Sequence, residues 1–343
     1  MTLPAARVLA GGLFAVALAC GWALGGGAPS YADDGHVHPV FTIGSPEISE
    51  SSSLAVSTVH EGLVYTANDS GDSATVYVLD DDNGRLVGRA RLAGVDAVDI
   101  EALGVGQDGT LVVGDIGDNT GSHSHVTVYR IPQPGRGDHT VTPTAVRLTY
   151  VDGARDAEAL LYDARSGRVF VVSKQIAGSH IYQTPPHAFH RRSARLGRVG
   201  RAPVVATGAS WLPGRRYAVI RTYIGATIYH YRSWRQATRL SLPSQEQGES
   251  IAVPPHGSVA WVGSEGVHST VLAVPLPKLS HHSPKQHRAD GPSPQPSLTP
   301  SNQQQRSDYE HQRDIATTVL VAAAAALAVL LAAAAVMVVR RRR

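Results

Sequence analysis

A pattern of short strand-like runs recurs five times along the central part of this chain, and it limits the fold more than any other feature. Each copy begins with small or acidic residues that lead into an apolar run. Three further runs follow, separated by turns rich in Gly, Asp, Asn and Pro. Short β-branched and aromatic runs between turn residues indicate strands. The sequence therefore predicts an all-β domain built from a four-stranded unit whose first runs are SESSSLAV, DIEALGV, DAEALLY, TGASWL and QGESIAV.

The length of this unit predicts how its copies are arranged. Four strands in about 40 to 57 residues match one blade of a β-propeller. Two packed sheets would explain the strands but not their five-fold recurrence. The fifth copy lacks a fourth strand, and residues 38–44 (HPVFTIG) precede the first copy. Because an open last blade would expose a sheet edge, we expect this N-terminal strand to close five blades, or six if an irregular segment conceals another.

The two ends of the chain predict export and membrane attachment. Arg7 and an alanine-rich apolar run precede Ser30-Tyr31-Ala32, which is typical of a signal peptide over residues 1–32. Residues 315–339 are apolar and long enough for one transmembrane helix. The arginines at 340–343 predict a cytoplasmic C-terminus, because positive charges flanking a span stay inside.

The part between these ends is predicted to be an extracellular propeller on a stalk. Residues 33–277 form the propeller ectodomain, and residues 278–314, rich in Pro, Ser, Gln and His, form a disordered stalk. The predicted protein is thus a single-pass protein of the cell membrane. Its only cysteine, Cys20, lies in the signal peptide, so the exported domain depends on its core rather than on disulfides.

The charge of the exported part argues against a nucleic-acid partner. The formal net charge of +3 includes Arg7 and the four terminal arginines, so the exported part carries a net charge of −2. Nucleic-acid binding needs a clear excess of positive charge. A ligand or protein at the cell surface, not identified by the sequence, is the expected partner besides the membrane.

Charged residues at corresponding positions predict a ligand-binding channel mouth. In a propeller the first strand of each blade lines the central channel. The loop before that strand opens on the same face as the loop between strands two and three. Acidic residues begin the first strand in three copies, and basic residues follow the second strand in two copies, one of which also has the acidic residue. These residues are Glu101, Glu158, Glu249, Lys174 and Arg221.

Further carboxylates belong to the same predicted mouth and could contribute to the six to eight oxygen ligands that Ca²⁺ takes. The phrases NDSGDS (68–73) and GDIGDN (114–119) also contain Asp72 and Asp118, which either help to hold a cation or accept backbone hydrogen bonds in the turns. The spacing is not that of an EF-hand, and the sequence has no GxSxG elbow, P-loop or dinucleotide fingerprint. The candidate metal ligands are Asp69, Asp99, Asp115 and Asp156.

The runs D-x-E-A-L at 99–103 and 156–160, together with D-x-G-D and V-S-K after second strands, resemble secreted bacterial β-propellers of the phytase-like broad group. The resemblance covers about residues 40–276. It implies a group that contains calcium-dependent phosphoesterases and many members without known activity. Phytase propellers have six blades and a more highly charged mouth. Here Thr207 and Ala209 stand where the fourth copy would carry acids, which argues against phosphatase activity.

Three functions of different classes follow from these features. The favoured hypothesis is a membrane-anchored propeller that acts as a ligand- or protein-binding module at the cell surface. The alternative is a calcium-dependent, phosphoesterase-like hydrolase, in which the acidic ring holds Ca²⁺ and Lys174 and Arg221 steady an anionic substrate. A glycosidase is a third class, and it would need two mouth carboxylates about 5–10 Å apart.

Overall fold

The computed structural model describes residues 36–279 except 70, 98 and 177. Within this part of the chain there are 21 strands and two short 3-10 helices, Ala188–His190 and Pro213–Arg215. The predicted signal peptide, membrane span and arginine tail, and all but the start of the predicted stalk, lie outside the described residues. No helix among the described residues is long and apolar enough to cross a membrane.

Twenty of the described strands form five sets of four, here called repeats 1 to 5, in which neighbouring strands are antiparallel. Repeat 1 contains β2 (Ala55–Val56), β3 (Leu63–Thr66), β4 (Thr75–Asp80) and β5 (Leu86–Leu92). Repeat 2 contains β6 (Ile100–Val105), β7 (Thr110–Asp115), β8 (Val126–Pro132) and β10 (Thr144–Tyr150). Repeat 3 contains β11 (Ala157–Asp163), β12 (Arg168–Ser173), β13 (His180–Gln183) and β14 (Ser193–Arg201). Repeat 4 contains β15 (Ala206–Trp211), β16 (Tyr217–Thr222), β17 (Gly225–His230) and β18 (Gln236–Ser241). Repeat 5 contains β19 (Gly248–Ala252), β20 (Val259–Ser264), β21 (Thr270–Pro275) and β1 (His38–Thr42).

Contacts between the repeats run in a closed order. The first strand of each repeat contacts the first strand of the next, from β2 through β6, β11 and β15 to β19, and β19 contacts β2 again. The N-terminal strand β1 pairs antiparallel with β21 and is the fourth strand of repeat 5, as the sequence indicates. The all-β fold is therefore that of a β-propeller, with first strands around its axis.

The hydrophobic core lies between consecutive repeats rather than at one centre. Repeats 5 and 1, for example, share a cluster that includes Phe41, Ile43, Leu54, Leu79 and Val271. Each sheet thus buries both faces, and this explains why second strands such as LVYT and VFVV are continuous apolar runs with no polar alternation. Full burial of one such side chain contributes about 1.5–3 kcal/mol, so these shared clusters hold the repeats together.

Two additional strand pairings cover outer edges of the sheets. The strand β9 (Gly137–Val141), from the connection between β8 and β10, pairs in parallel with the outer strand β5 of repeat 1. The first half of β14 pairs in parallel with β10 of repeat 2, and its second half pairs with β13 of its own repeat. Both pairings cover edges that would otherwise invite aggregation, and the sequence did not predict them.

Each first strand begins with a bulge, which we call the bulge position. In repeats 2, 3 and 4 the extra residue is Glu101, Glu158 and Thr207. Repeats 1 and 5 have one extra residue within 52–54 and 249–250, where Ser52 and Glu249 lie. A bulge redirects a side chain away from the regular alternation of a strand, so these residues form a set that differs from the rest of each strand.

The predicted alignment of repeat 4 was wrong by two residues. It matched Ala209 with Glu101 and Trp211 with Leu103, whereas the pairing places Thr207 and Ala209 there. Trp211 looked like the apolar anchor of TGASWL because it is the largest residue in that run. It lies instead at the far end of β15, where its ring packs edge-on at 5.8 Å from that of Phe170.

Candidate functional site at the channel mouth

The two ends of the central channel have opposite chemistry. One end is an apolar cavity of about 70 Å³ to which all five first-strand segments contribute, through residues such as Leu54, Leu103, Leu160, Ala209 and Ala252. The other end, here called the mouth, is formed by the loops that precede first strands and the loops between second and third strands. The acidic residues predicted from the sequence lie at the mouth, so polar chemistry is concentrated there.

The three predicted glutamates are buried at the bulge positions. Glu101, Glu158 and Glu249 each expose 4–6% of their surface. A buried carboxylate is costly unless it is paired or becomes neutral. The groups that surround each glutamate therefore decide its role, and they differ between the two halves of the mouth.

In repeats 3 and 5 the two glutamates lie near a positively charged side chain of the protein itself. Lys174 forms an ion pair with Glu158, and its Nζ lies 5.3 Å from the centre of the Tyr223 ring. Burial alone would lower the pKa of Lys174, but Glu158 and Tyr223 raise it above its ordinary value. The lysine therefore stays protonated, and Tyr223 also hydrogen-bonds Glu249. Glu158 Oε2 is buried without a hydrogen-bond partner among the described residues, and burial and the charge of Glu249 raise the pKa of Glu158 to about 9, so Lys174 compensates this cluster in part.

Tyr223 was missed by the sequence reasoning because of the misaligned repeat 4. With the alignment corrected, Tyr223 follows Thr222 at the end of β16 as Lys174 follows Ser173 at the end of β12. The same position holds Asp69 in repeat 1 and Glu265 in repeat 5. A correct register would therefore have identified this residue from sequence alone.

In repeats 1 and 2 the acidic groups face one another. One carboxylate oxygen from each of Asp69, Asp99 and Glu101 lies within 4.8 Å of the others. Burial, followed by a hydrogen bond and the charge of Asp69, raises the pKa of Asp99 to about 8. Burial and then the charge of Glu158 hold the pKa of Glu101 well above its ordinary value. This half of the mouth concentrates negative charge.

Asp99 has an unsatisfied oxygen in this cluster. The residue is 8% exposed. Its Oδ1 atom is buried and has no hydrogen-bond partner among the described residues. A buried acceptor without a partner costs about 1–3 kcal/mol. A bound cation would remove this cost, whereas a purely structural cluster would not.

The other two candidate metal ligands accept hydrogen bonds from the backbone. Asp115 Oδ1 accepts a hydrogen bond from the backbone N–H of Asp99 at 2.8 Å. Asp156 Oδ1 accepts one from the backbone N–H of Asp118 at 2.9 Å. Both aspartates thus fix the loops at the mouth, and Asp115 in particular orients Asp99.

The second predicted cation is not open to an external ligand. Arg221 is fully buried, and its Nη1 donates to the carbonyl oxygens of Ser250 and Gly263 at 2.6 and 2.8 Å. Its Nη2 donates to Gln245 Oε1. Burial lowers the pKa of Arg221 to about 10. Arg221 therefore links repeat 4 to repeat 5 through hydrogen bonds. Because the side chain is buried, the structure does not support its predicted role in ligand binding.

The aspartates of the two repeated phrases build turns. Asp118 Oδ1 and Oδ2 accept hydrogen bonds from the backbone N–H groups of Ser122 and His123, both at 2.9 Å. Asp72 Oδ2 accepts hydrogen bonds from Asn68 and from the hydroxyl of Tyr77. The phrases therefore recur because the loop after the second strand recurs, and the candidate cation site uses only Asp69 from them.

The geometry of the three facing carboxylates suits a hard divalent cation. Calcium ions bind oxygen at about 2.3–2.6 Å, so two ligands of one ion lie up to about 5 Å apart. The carboxylate oxygens of Asp69, Asp99 and Glu101, which all lie within 4.8 Å of one another, meet this condition. Three carboxylates leave further coordination positions for water or for an oxygen of a bound ligand.

Comparisons with known proteins concern the fold alone. No family model and no curated protein matches this chain. Glutaminyl cyclase from Myxococcus xanthus is 13% identical over 69% of this chain and 97% of its own, with a TM-score of 0.46. Hydrazine synthase from Kuenenia stuttgartiensis is 12% identical over 64% and 56%, with a TM-score of 0.39. The Dos1 propeller is 13% identical over 69% and 60%, with a TM-score of 0.37.

The description of the Dos1 structure is that of a propeller, and at these TM-scores the three likenesses carry no argument about this chain. This chain spans only 56% and 60% of the hydrazine synthase and Dos1 chains. The assignment of the fold rests on the strand pairings and on the closed order of contacts between first strands.

Proposed function

We propose that this chain is a five-bladed propeller that acts as a binding module, with a divalent cation such as Ca²⁺ held at its mouth. The ligands would be Asp69, Asp99 and Glu101. One observation carries this proposal: three carboxylate oxygens lie within 4.8 Å of one another, beside the buried and unsatisfied Oδ1 of Asp99. Five blades are supported by the closed order of five first strands and by β1 as the last outer strand.

A bound cation explains the contrast between the two halves of the mouth. Nearby carboxylates raise each other's pKa because each disfavours the ionised form of the other. In repeat 3 Lys174 offsets this repulsion for Glu158. The group that follows the second strand of repeat 1 is instead an acid, Asp69, and it adds to the negative charge around Glu101. An external cation would take the role there that Lys174 takes in repeat 3.

The proposal includes the expected setting of the protein as an extracytoplasmic module anchored by its C-terminal segment. Strands one and three run away from the mouth, so β21 ends on the opposite face, where the backbone of Leu276 bonds to Ser258. The described chain thus leaves the propeller away from the mouth.

A binding module is favoured over a calcium-dependent hydrolase by the state of the two predicted cations. A phosphoesterase would need positive groups to steady its anionic substrate. Lys174 is paired with Glu158, and Arg221 is buried against backbone carbonyls. Neither side chain therefore offers its full charge to a substrate at the mouth.

Calorimetric titration of Ca²⁺ into the purified full-length chain tests the proposal. We expect binding that Glu101→Gln and Asp99→Asn each weaken by about tenfold or more, since each removes a charged ligand. The matched control is Glu61→Gln, because Glu61 is exposed in the loop between β2 and β3 on the opposite face. Absence of Ca²⁺ binding by the unaltered chain would contradict the metal site. Glu101-dependent hydrolysis of p-nitrophenyl phosphate would favour the hydrolase instead.

A further inference from the structure

Exposed apolar side chains are concentrated on the mouth face. Among the residues that the structure describes, seven large apolar side chains are exposed. Val37 and Val59 lie towards the opposite face, before β1 and between β2 and β3. The other five lie on loops that precede first strands or connect second and third strands. We call these five the apolar rim: Val151, Ile176, Val204, Ile224 and Val267.

Hydrogen bonds join several of these loops to one another. The backbone N–H of Val205 donates to the carbonyl oxygen of Gln175 at 3.1 Å, next to Val204 and Ile176. The side chain of Arg155, in the loop that also contains Val151, donates to Gln175 Oε1 at 3.1 Å. The loops that carry Val151, Ile176 and Val204 are therefore held as one surface.

Ile224 has no role in its own turn. It is 91% exposed and lies in a two-residue connection between the paired residues Thr222 and Gly225. Such turns favour Gly, Asn or Asp, and a β-branched apolar residue adds no hydrogen bond or packing there. Ile176, at 77% exposed, stands on the neighbouring loop. Clustered exposed apolar residues mark interaction surfaces, whereas scattered ones do not.

The rim borders a strongly acidic centre. Glu265 and Glu249 interact in repeat 5, and the charges of Asp69 and Glu50 also act on Glu265. Lys174 compensates part of this charge through Glu158. A partner that fits this face must therefore combine a positive group for the centre with apolar groups for the rim.

Charge complementarity favours a basic protein segment over the other partners that could cover the mouth face. A membrane surface carries anionic headgroups that the acidic centre would repel. A second copy that docks face to face would bring acid against acid. The last described strand of this chain ends on the opposite face, where the backbone N–H of Leu276 donates to Ser258. A basic peptide segment meets none of these obstacles.

We infer that the mouth face docks a protein segment in which a lysine or arginine is flanked by large apolar side chains. The basic group enters beside Glu249 and Glu265, and the apolar groups cover Ile176 and Ile224. This inference rests on the proposed function of the mouth as a binding surface. Glu249 and Glu265 are not among the proposed cation ligands Asp69, Asp99 and Glu101, although the charge of Asp69 also acts on Glu265.

Selection of a random peptide library, displayed on phage, against the immobilised full-length chain tests the inference. We expect enrichment of peptides that carry Lys or Arg beside Leu, Ile, Phe or Trp. The affinity of one enriched synthetic peptide should then fall about tenfold for Ile224→Asp and for Glu265→Gln. Val59→Asp is the matched control, since it adds the same charge to an exposed valine on the opposite face, and it should leave the affinity unchanged.

Several outcomes would overturn this inference. Enrichment without a basic and apolar pattern, no enrichment, or equal binding to the Ile224→Asp variant would each do so. Binding to vesicles of phosphatidylcholine and phosphatidylserine that depends on Ile224 would assign the rim to a membrane. Dimerisation that depends on Ile224 would assign it to a second copy, and binding of a peptide of residues 280–313 would assign it to the chain's own segment.

The same variants separate this inference from the cation site. Ile224→Asp should leave Ca²⁺ titration unchanged, because Ile224 lies outside the carboxylate cluster. Glu101→Gln should weaken Ca²⁺ binding by about tenfold or more and retain the peptide. Peptide binding without any Ca²⁺ binding would remove only the metal site, and Ca²⁺ binding without any peptide would remove only the docking surface.

Discussion

Glu101 and Glu158 occupy the same bulge position in consecutive repeats, but they meet opposite surroundings. Glu158 forms an ion pair with Lys174, which follows the second strand of its own repeat. Glu101 instead lies beside Asp69 and Asp99, both of which are acids. The backbone gives the two glutamates equivalent positions, and the residue that follows a neighbouring second strand decides whether the charge is compensated within the chain.

This difference would let one repeat serve stability and another serve the proposed cation binding. Where the chain supplies its own cation, the buried glutamate becomes part of the fold. Where it supplies more acid, the same position is left with a charge that an external cation can satisfy. Identical substitutions in the two halves should therefore have different effects on stability and binding.

The largest effect should follow removal of the internal cation. Lys174→Met leaves Glu158 and Glu249 without their compensating charge, and breaking a buried pair in this way costs about 3–5 kcal/mol. Urea denaturation of the variant measures this loss. Lys278→Met is the control, because Lys278 is exposed. The double variant Lys174→Met, Glu158→Gln should recover part of the loss, and a loss below about 1 kcal/mol would contradict a structural role for the pair.

In the half of the mouth formed by repeats 1 and 2, substitution of Glu101 should change cation binding. At a Ca²⁺ concentration of 100 times Kd, the unaltered chain should gain about 2.7 kcal/mol of stability. Glu101→Gln should reduce this gain to about 1.4 kcal/mol or less at the same Ca²⁺ concentration. Without Ca²⁺ it should leave stability unchanged or slightly higher, since it relieves repulsion. Glu158→Gln should instead lower stability without Ca²⁺, because Lys174 loses its partner. Equal losses of stability in both variants, measured by urea denaturation in EDTA, would contradict the comparison.

Acids in both halves of the mouth should contribute to the pH dependence, because burial raises the pKa of Glu158 and Glu265 as well as that of Asp99. An acid whose pKa is raised on folding binds more protons folded than unfolded, so it lowers stability as pH rises between the two values. For Asp99 this window extends from about 4, its ordinary value, to about 8. We expect a loss on the order of 2 kcal/mol from pH 5 to pH 8 in EDTA, after solvent screening.

The control for this pH dependence is Asp99→Asn, which cannot titrate. Thermal melts of this variant in EDTA should change less between pH 5 and pH 8 than those of the unaltered chain. Saturating Ca²⁺ should oppose the loss in the unaltered chain, because the cation binds the ionised carboxylates. A pH profile that is the same in the variant would assign the loss to other acids, such as Glu265.

The sequence predicted the repeating part of this architecture and missed what depends on tertiary contacts. Short apolar runs marked the strands of all five repeats, and a missing fourth strand pointed to residues 38–44 as its replacement. The pairing of β9 with β5 was not predictable, because GDHTV carries no strand periodicity and depends on an edge formed by another repeat. The error in repeat 4 arose because a single large apolar residue, Trp211, outweighed the spacing of the strand.

The sequence predicted which residues lie together at the mouth. It did not predict how the mouth divides into a half with an internal cation and a half with facing acids. The sequence brought Glu101, Glu158 and Glu249 to one mouth and named Asp69 and Asp99 with them. It could not show that Lys174 is paired with Glu158, or that Asp115 and Asp156 are used by backbone N–H groups. These facts depend on side-chain distances between adjacent repeats, which spacing within one repeat does not determine.

The smallest effect should come from the aspartates of the two repeated phrases. Asp118→Ala removes the acceptor of two backbone N–H groups, and Asp72→Ala removes the partner of Asn68 and Tyr77. Each change should cost about 1 kcal/mol, the net value of a typical hydrogen-bonded cap. Neither should change the Kd for Ca²⁺, because neither aspartate belongs to the cluster of Asp69, Asp99 and Glu101. If either change weakened Ca²⁺ binding as much as Glu101→Gln, the phrases would be cation ligands and the division between turn and site would be wrong.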